Sequence, residues 1–413
     1  MWFFRHDPAV GHYTDFIVNF SRLINRPYAH LACLFLASRL ALFAVGLLST
    51  WLLPSGAVVQ RGNLIVHEPV SRPLEIWARW DSEWYLLIAA EGYDVSDHFA
   101  GLGVPYEQHA ASGFLPLYPF LIRGLAPLLG PVAAGVLISN LCLALSLVLL
   151  ERLVRLEVHG ANGGMAGLAA CAALLLHPSS LFLSAVYAES LFLALSLGVF
   201  LSARSRNFAL AGILGGLATI TRPFGLLLVI PILWEWWAGQ NDDSETPSSR
   251  RFSIWSGLWV LPIPIALGGY MLFCQSVFGD PLAFIHRQAR WRGGLSGPWR
   301  AFVRWWEAGP TAHGAHGSTF ELVIALVCLT MLAFMALKLR GSYTLYAGAG
   351  VVLALGSTLW SFSRLTLTLF PFYILIGTAW AEGRRCFPLL YAFMGATIAG
   401  LFVALFANSW WVG

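Results

Sequence analysis

The feature that most constrains this chain is a series of apolar runs, many close to the ~20 residues that a helix needs to cross a membrane. Hydrophobic residues make up 58% of the 413 residues and charged residues only 11%, whereas a soluble globular protein carries roughly a quarter. The mean hydropathy is +0.69. These values exclude an ordinary soluble domain and predict an all-α polytopic membrane protein.

We expect about eleven transmembrane helices in a single integral membrane domain, residues 1–413. The predicted spans are 31–53, 132–150, 165–176, 190–203, 208–220, 224–237, 254–278, 320–337, 343–360, 365–381 and 388–407. The segments between them include a long first loop at 54–131, a polar linker at 240–252 and a second long loop at 279–318. Because the first loop is too long for a simple connection, we expect it to carry interfacial helices.

Basic residues predict how the chain is oriented. They occur as pairs in alternate short connections: Arg152 and Arg155, Arg204 and Arg206, Arg250 and Arg251, Lys338 and Arg340, and Arg384 and Arg385. By the positive-inside rule, these connections, the linker 240–252 and the N-terminus are cytoplasmic. The two long loops then lie on the extracytoplasmic side.

Several classes of site find no support in the motifs. The six cysteines are scattered and show neither a disulfide framework nor the spacing of a zinc site. Walker-type, HExxH and GxSxG motifs are absent, which argues against nucleotide hydrolysis, zinc proteolysis and a serine triad. Nucleic acid is an improbable partner because the basic residues lie at membrane boundaries.

The first loop contains Arg79-Trp80-Asp81, in the middle of the Trp-rich stretch 74–93. Helical spacing puts four residues of this stretch on one face: Trp77, Asp81, Trp84 and Ile88. A carboxylate in an aromatic and aliphatic stripe loses hydration, which suits a general base or a cation-binding group. The alternative is structural, with Asp81 pairing with Arg79 or capping a short interfacial helix.

Three further charged residues recur on the predicted extracytoplasmic face. Glu189 lies in a strongly apolar run, where an ionisable side chain indicates a function by default. Arg222, before Pro223, and Arg364 both lie at turns with no acid adjacent in sequence, which favours binding of an anionic ligand over internal pairing. The alternatives are that Glu189 pairs with Arg222 or reaches water, and that the arginines anchor the chain at the interface.

The two long loops hold weaker candidates. His109 precedes a Phe-Leu-Pro-Leu-Tyr-Pro run that includes Tyr118. It could carry a proton or bind a ligand, although a lone loop histidine is more often neither. The basic run from Arg287 to Arg292 could hold an acidic headgroup or simply attach the loop to lipid.

Taken together, these stretches resemble a known family. Arg79-Trp80-Asp81 in the first extracytoplasmic loop of a many-span protein is typical of GT-C glycosyltransferases, and the blocks around it resemble mannosyltransferases of the PIG-V type and their bacterial relatives. The similar blocks are Trp80-Asp81-Ser82 with Gly92-Tyr93, residues 114–119, residues 177–190, residues 221–225, and Arg364 with Phe370-Pro371. The chain departs from the family pattern at His177, where Asn is usual, at Ala188, where Ser is common, and in the unmatched loop from Arg287 to Ser318.

The resemblance implies a GT-C-like helical bundle and a sugar, most simply mannose, carried on polyprenyl or dolichyl phosphate. The acceptor would be a lipid or glycan, and neither nucleotide nor metal would be needed. Asp81 would be the catalytic base in an inverting transfer. Arg222 and Arg364 would bind the departing phosphate, and Glu189 would bind sugar hydroxyls or orient an arginine. The predicted substrate-binding set is Arg79, Trp80, His109, Tyr118, Tyr187, Glu189, Arg222 and Arg364.

Two other functions stay open on the residues alone. A transporter or flippase for lipid-linked sugars would use Glu189 and Arg222 as an intramembrane pair. It should place polar groups near the membrane midplane on several interrupted helices, whereas here they gather at one face. A scaffold that binds lipid-linked sugars without catalysis is a further alternative. The compact loops favour a bacterial plasma membrane, with an endoplasmic reticulum membrane as the eukaryotic equivalent.

Overall fold

A computed structural model describes residues 26–54, 59–60, 65–66, 72–95, 110–158, 162–240, 254–314 and 316–412. His109 and the part of the predicted linker from 241 to 252 lie outside the described residues. Apart from the antiparallel two-residue strands Val59–Gln60 and Ile65–Val66, the regular structure of the described residues is helical.

From α3 onwards most of the α-helices follow one another closely in the chain. In chain order they are α1 (Arg26–Leu52), α2 (Asp81–Glu91), α3 (Leu117–Leu129), α4 (Pro131–Glu157), α5 (Gly163–Leu175), α6 (Glu189–Arg204), α7 (Phe208–Thr219), α8 (Val229–Gln240), α9 (Ile254–Gly257), α10 (Pro262–Phe278), α11 (Ala283–Arg292), α12 (Trp299–Glu307), α13 (Thr319–Lys338), α14 (Gly341–Leu355), α15 (Phe362–Thr366), α16 (Pro371–Ala381) and α17 (Cys386–Ala407). Among the described residues, five 3₁₀ helices lie between them: Pro73–Trp77, Ala110–Gly113, Ser180–Leu183, Pro223–Leu228 and Leu258–Val260.

The helices confirm an all-helical membrane protein. In the described part of the chain, five helical segments are long and apolar enough to cross a membrane: Tyr28–Leu52, Pro131–Glu157, Trp255–Phe278, Thr319–Lys338 and Cys386–Ala407. Each of the other predicted spans overlaps a shorter helix. Leucines and aromatic residues on the outer faces are exposed, for example Leu40 at 63% and Phe393 at 71%. Such an apolar outer surface suits contact with lipid.

Three predicted segments differ in detail from the structure. The predicted loop 54–131 contains the apolar helix α3. Pro119 does not interrupt this helix, because it lies in the first turn, where a missing N–H costs no hydrogen bond. The predicted spans 343–360 and 365–381 are shorter than expected, since α14 ends at Leu355 and α16 begins only at Pro371. The residues between them form turns and the five-residue helix α15.

The segment between α5 and α6 lies at the centre of the bundle. Residues 177–194 are all buried. They run through the short helix Ser180–Leu183 and a series of turns before α6 begins at Glu189. Buried non-helical backbone in a membrane protein needs hydrogen-bond partners from its surroundings.

Arg39 supplies one such bond within this segment and a second just before it. It projects from α1, is only 8% exposed, and donates to the carbonyl oxygens of Ser180 at 2.9 Å and Leu175 at 3.0 Å. Leu175 is the last residue of α5, so its carbonyl has no helical partner of its own. The α1 helix therefore braces the turn that leads to Glu189.

We expect Arg39→Met to destabilise the protein, because the substitution fills the same volume but leaves both carbonyls without their donor. The free energy of unfolding in detergent should fall by about 1–3 kcal/mol. The exposed Arg123 on α3 provides a matched control, and Arg123→Met should change stability by less than about 0.5 kcal/mol. Equal unfolding free energies for the two variants would contradict the bracing role of Arg39.

Candidate active site

Four charged side chains, which we call the charge cluster, meet at one end of the bundle: Asp81, Glu189, Arg222 and Arg364. Arg364 Nη1 lies 2.8 Å from Asp81 Oδ2, and Arg364 Nε lies 3.2 Å from Glu189 Oε1. Arg222 Nη1 lies 2.5 Å from the same Glu189 oxygen. Two carboxylates and two guanidinium groups thus form a continuous chain of ion pairs.

Local structure explains why these side chains converge. Asp81 and Glu189 are the first residues of α2 and α6, a position where the helix dipole stabilises a negative charge. Arg222 has an extended backbone before the 3₁₀ helix that starts at Pro223, as expected for a residue before proline. Arg364 lies in the short helix α15. All four therefore lie at element ends or in short elements rather than in the middle of a long helix.

The structure corrects the helix predicted through the Trp-rich stretch. The 3₁₀ helix ends at Trp77 and α2 begins at Asp81, so the two are not on one continuous helical face. Between them Trp80 has φ 60° and ψ −122°, a conformation that a residue with a side chain rarely adopts. The ion-pair partner of Asp81 is Arg364 rather than Arg79.

Tyr187 holds this strained turn from both sides. Its hydroxyl donates to the carbonyl oxygen of Arg79 at 3.1 Å and accepts from the N–H of Asp81 at 3.2 Å. The two bonds therefore bracket Trp80. Tyr187 is 1% exposed and lies two residues before Glu189, so one segment fixes both the start of α2 and the buried carboxylate.

Aromatic rings surround the guanidinium group of Arg364. Its Cζ atom lies 5.2 Å from the ring centroid of Tyr187, 5.3 Å from that of Phe182 and 5.6 Å from that of Trp411. Trp411 also packs edge-to-face against Trp80, with centroids 5.3 Å apart. Rings at these distances attract a cation and restrict its movement.

The arginines are paired internally, contrary to the expectation from their sequence surroundings. Both contact Glu189, and Arg364 contacts Asp81 as well. A guanidinium group has five N–H donors, so these pairs do not exclude a further anionic ligand. Exposure differs within the cluster, since the Asp81 side chain is 25% exposed and that of Glu189 only 1%.

Other predicted residues lie outside this cluster. The charge of Arg79 interacts with those of Glu83 and Glu75, and burial lowers the pKa of its guanidinium. The Tyr118 hydroxyl is buried and bonded to the Gly135 carbonyl at 3.0 Å and to Ser139 Oγ at 2.7 Å. His109 lies outside the described residues.

The departure at His177 has a simple structural outcome. His177 Nδ1 accepts a hydrogen bond from the N–H of Ser179 at 3.1 Å. A side-chain oxygen of Asn can bond the backbone two residues on in the same way. The histidine therefore preserves the turn, and Ala188 leaves Glu189 as the first residue of α6.

Sequence reasoning missed several neighbours of the charge cluster. Tyr85 lies one helical turn after Asp81, and burial followed by the charge of Glu189 raises its pKa. Its position four residues on in the same helix could have identified it. Trp411 gave no signal, because it lies beyond the last predicted span.

The loop 279–318 supports the segment that carries Arg364. Its helices α11 and α12 place Arg292 and Arg304 against that segment, where they donate to the carbonyl oxygens of Trp360 and Ser357 at 2.5 and 2.7 Å. Burial lowers the pKa of Arg292 to about 10, and the positive charge of Arg364 acts in the same direction. Arg287, which begins the run expected either to hold an acidic headgroup or to attach the loop to lipid, is 2% exposed.

No group of three or more His, Cys, Asp or Glu side chains arranged to hold a metal ion occurs among the residues that the structure describes.

Comparison with known proteins gives a family match and two curated relatives. The model of the mannosyltransferase (PIG-V) family matches residues 33–236. GPI mannosyltransferase 2 of Chaetomium globosum is 29% identical over 252 residues, which is 52% of this chain and 52% of the relative. GPI alpha-1,6-mannosyltransferase 2 of Rattus norvegicus is 33% identical over 162 residues, 37% of this chain and 30% of the relative. The chain thus spans about half the length of the fungal relative and less of the rat one.

Two solved structures align with most of the chain at low identity. ArnT from Cupriavidus metallidurans, bound to undecaprenyl phosphate, aligns with 91% of this chain and 76% of its own at 13% identity and a TM-score of 0.45. The oligosaccharyltransferase of Archaeoglobus fulgidus in the apo form aligns with 91% of this chain and 56% of its own, with 13% identity and a TM-score of 0.40.

Removing the Tyr187 hydroxyl should release the strained turn at Trp80. We expect Tyr187→Phe to lower the free energy of unfolding by about 1–3 kcal/mol, because two buried hydrogen bonds are lost. Tyr391 is a matched control, since its buried hydroxyl has no hydrogen-bond partner among the described residues. Tyr391→Phe should be neutral or slightly stabilising in the same thermal unfolding measurement. If the two variants unfold alike, the bracket around Trp80 does not stabilise the turn.

Proposed function

We propose that this chain, whose residues 33–236 match the model of the mannosyltransferase (PIG-V) family, transfers mannose from a polyprenyl or dolichyl phosphate to a lipid-linked or glycan acceptor. The observation that carries the proposal is the ion pair between Asp81 and Arg364, with Arg222 joined to it through Glu189. It combines a partly exposed carboxylate with two fixed cations, which are the groups that a sugar-phosphate donor requires.

Asp81 is the proposed general base. Its carboxylate takes the proton of the acceptor hydroxyl as that oxygen forms a bond to the anomeric carbon of the sugar. The bond from the anomeric carbon to the phosphate oxygen breaks on the opposite side, so the configuration at that carbon inverts. The electron pair leaves with the phosphate, and the proton stays on Asp81 until it is lost to water.

Arg364 and Arg222 are the proposed ligands of the leaving phosphate. Negative charge grows on the phosphate oxygens as the sugar departs, and positioned guanidinium groups stabilise that charge. The aromatic rings around Arg364 hold its cation close to the carboxylates. The arginines already provide the positive charge, so the transfer needs neither a nucleotide nor a metal ion.

The ion pair also explains how the base becomes available. A donor phosphate that binds Arg364 competes with Asp81 for the same guanidinium group. Once the phosphate takes that position, the Asp81 carboxylate is free to meet an acceptor hydroxyl. Asp81 is suited to this exchange because it is the most exposed member of the charge cluster, at 25%.

Glu189 has a separate role in the proposal. The two arginines lie at ion-pair distance from its Oε1 atom, and neither Oε1 nor Oε2 has a partner in hydrogen-bond geometry among the described residues. A buried acceptor without a partner is costly, and a sugar hydroxyl would satisfy it. Glu189 thus orients both arginines through one oxygen and binds the sugar through the other.

The donor would reach this site from the bilayer, with the charge cluster on the extracytoplasmic side and the N-terminus in the cytoplasm. This orientation is compatible with a bacterial plasma membrane and with an endoplasmic reticulum membrane. The arrangement also separates the proposal from a transporter, which should place its charges along the middle of several helices.

Replacing the proposed base should abolish transfer while donor binding is retained. We expect Asp81→Asn to lower transfer of labelled mannose from polyprenyl-phosphate mannose to membrane lipid extract by at least about a hundredfold, the range typical for loss of a general base. The assay contains a chelator and compares variants at equal membrane abundance. Glu91→Gln, an exposed carboxylate at the other end of α2, is the matched control and should transfer at the wild-type rate.

Either of two results would contradict this assignment. An active Asp81→Asn variant would make Asp81 structural and direct the search for the base to Glu189. If the wild-type protein transfers no mannose but moves the labelled lipid across vesicles, the chain is a transporter.

The arginines should be required for the phosphate group itself. We expect Arg222→Gln and Arg364→Gln each to weaken binding of sugar-free polyprenyl phosphate by roughly tenfold or more, since a charged hydrogen bond is worth about 1.5–3 kcal/mol. Arg123→Gln, exposed on α3, should leave the dissociation constant unchanged. Unchanged binding in both cluster variants would remove the phosphate from this site.

A further inference from the structure

A third carboxylate, Glu321, lies next to the charge cluster without belonging to it. It is in the first turn of α13 and is 1% exposed. It also lies outside the 33–236 match. Within the described part of the chain, Glu321 has no basic nitrogen within 4.0 Å, so its immediate partners are neutral groups.

Those partners belong to a single residue. The N–H of Ser363 donates to Glu321 Oε2 at 2.6 Å, and the Ser363 hydroxyl donates to Oε1 at 2.9 Å. Ser363 immediately precedes Arg364. The turn before it contains Ser361 with φ 59°, a left-handed conformation that costs a residue with a side chain free energy. Glu321 thus bonds the strained turn at Ser363, the residue immediately before Arg364.

The same bonds reach the segment that carries Glu189. Ser179 Oγ donates to Ser363 Oγ at 3.0 Å, which completes a chain from Ser179 through Ser363 to Glu321. Ser179 lies at the start of the buried segment that ends at Glu189. The carboxylate therefore sets the position of one side of the charge cluster relative to the other.

We propose that Glu321 is a positioning residue for the transfer reaction, which holds the Ser361–Arg364 turn so that Arg364 stays aligned with the donor phosphate and with Asp81. This inference rests on the proposed function. Burying a carboxylate in an apolar span is costly, and neutral side chains could close the same turn. The two oxygens of the carboxylate accept from both the N–H and the hydroxyl of Ser363, and this bidentate contact fixes Ser363 in two directions. A neutral acceptor with a single oxygen cannot make both bonds in this way.

A double-mutant cycle between Glu321 and Arg364 tests the proposal. We expect Glu321→Gln to lower the turnover rate at saturating donor by about ten- to hundredfold, because a shift of the order of 1 Å in a phosphate ligand has such an effect. In an Arg364→Lys background, the same substitution should lower the rate by less than about threefold, since the alignment of the guanidinium group is already lost. Glu321→Asp, which keeps both carboxylate oxygens, should turn over faster than Glu321→Gln.

The control is Glu235, a buried carboxylate that accepts from the Ser342 hydroxyl at 2.8 Å and is 6% exposed. Any effect of Glu235→Gln should multiply with that of Arg364→Lys, because it contacts no member of the charge cluster. If the effects of Glu321→Gln and Arg364→Lys multiply as well, or if Glu321→Gln is fully active, Glu321 is structural and the inference is overturned. Where Glu321→Gln fails to fold, Ser363→Ala takes its place, since it removes the hydroxyl bonds to Glu321 and Ser179 and keeps the N–H bond to Glu321.

Failure of the proposed function gives a different result from failure of this inference. The wild-type protein would then transfer no mannose, and the cycle would be read from thermal unfolding instead. Midpoint losses that fall short of additivity would still show that Glu321 acts through Arg364, and additive losses would overturn that link.

Discussion

The ion pair between Arg364 and Asp81 is the interaction on which the rest of the site depends. Removing one partner of a buried or half-buried pair leaves the other charge uncompensated, which costs far more than the pair contributes. The surroundings are built accordingly. Tyr187 fixes the backbone on the Asp81 side, and the rings of Tyr187, Phe182 and Trp411 enclose the guanidinium group on the other. Geometry that would be loose on an exposed loop is thereby held by packed elements.

Most of the fold could be predicted from the sequence because a bilayer leaves the backbone few choices. Every backbone polar group must be bonded within the segment, so apolar runs of sufficient length become helices. The errors occur where that rule is weakest. Pro119 looks like a helix breaker but lies in the first turn of α3, and the apolar run 343–360 continues past the end of α14 at Leu355 because hydropathy does not report turns.

The site was predicted as single residues and not as an arrangement. Asp81, Glu189, Arg222 and Arg364 each stand out as charges near apolar runs, yet no local pattern indicates which of them pair, since the contacts join distant parts of the chain. Glu321 is an instructive omission. The argument that identified Glu189, a carboxylate within an apolar span, applies equally to the span 320–337. Trp411 could not have been found in this way, because a tryptophan near a membrane surface is common.

The order of the cluster residues along the chain determines when the charge cluster can form during membrane insertion. Asp81, Glu189 and Arg222 all precede α8 in the chain, whereas Arg364 follows α13 and α14. Until then Arg222 is the cluster cation available to Glu189, and Asp81 lacks its guanidinium partner. The nascent protein therefore cannot contain the proposed active centre, and insertion of the last helices is also the step that assembles it. Errors in late insertion would leave a protein that is anchored in the membrane but lacks the pair between Arg364 and Asp81.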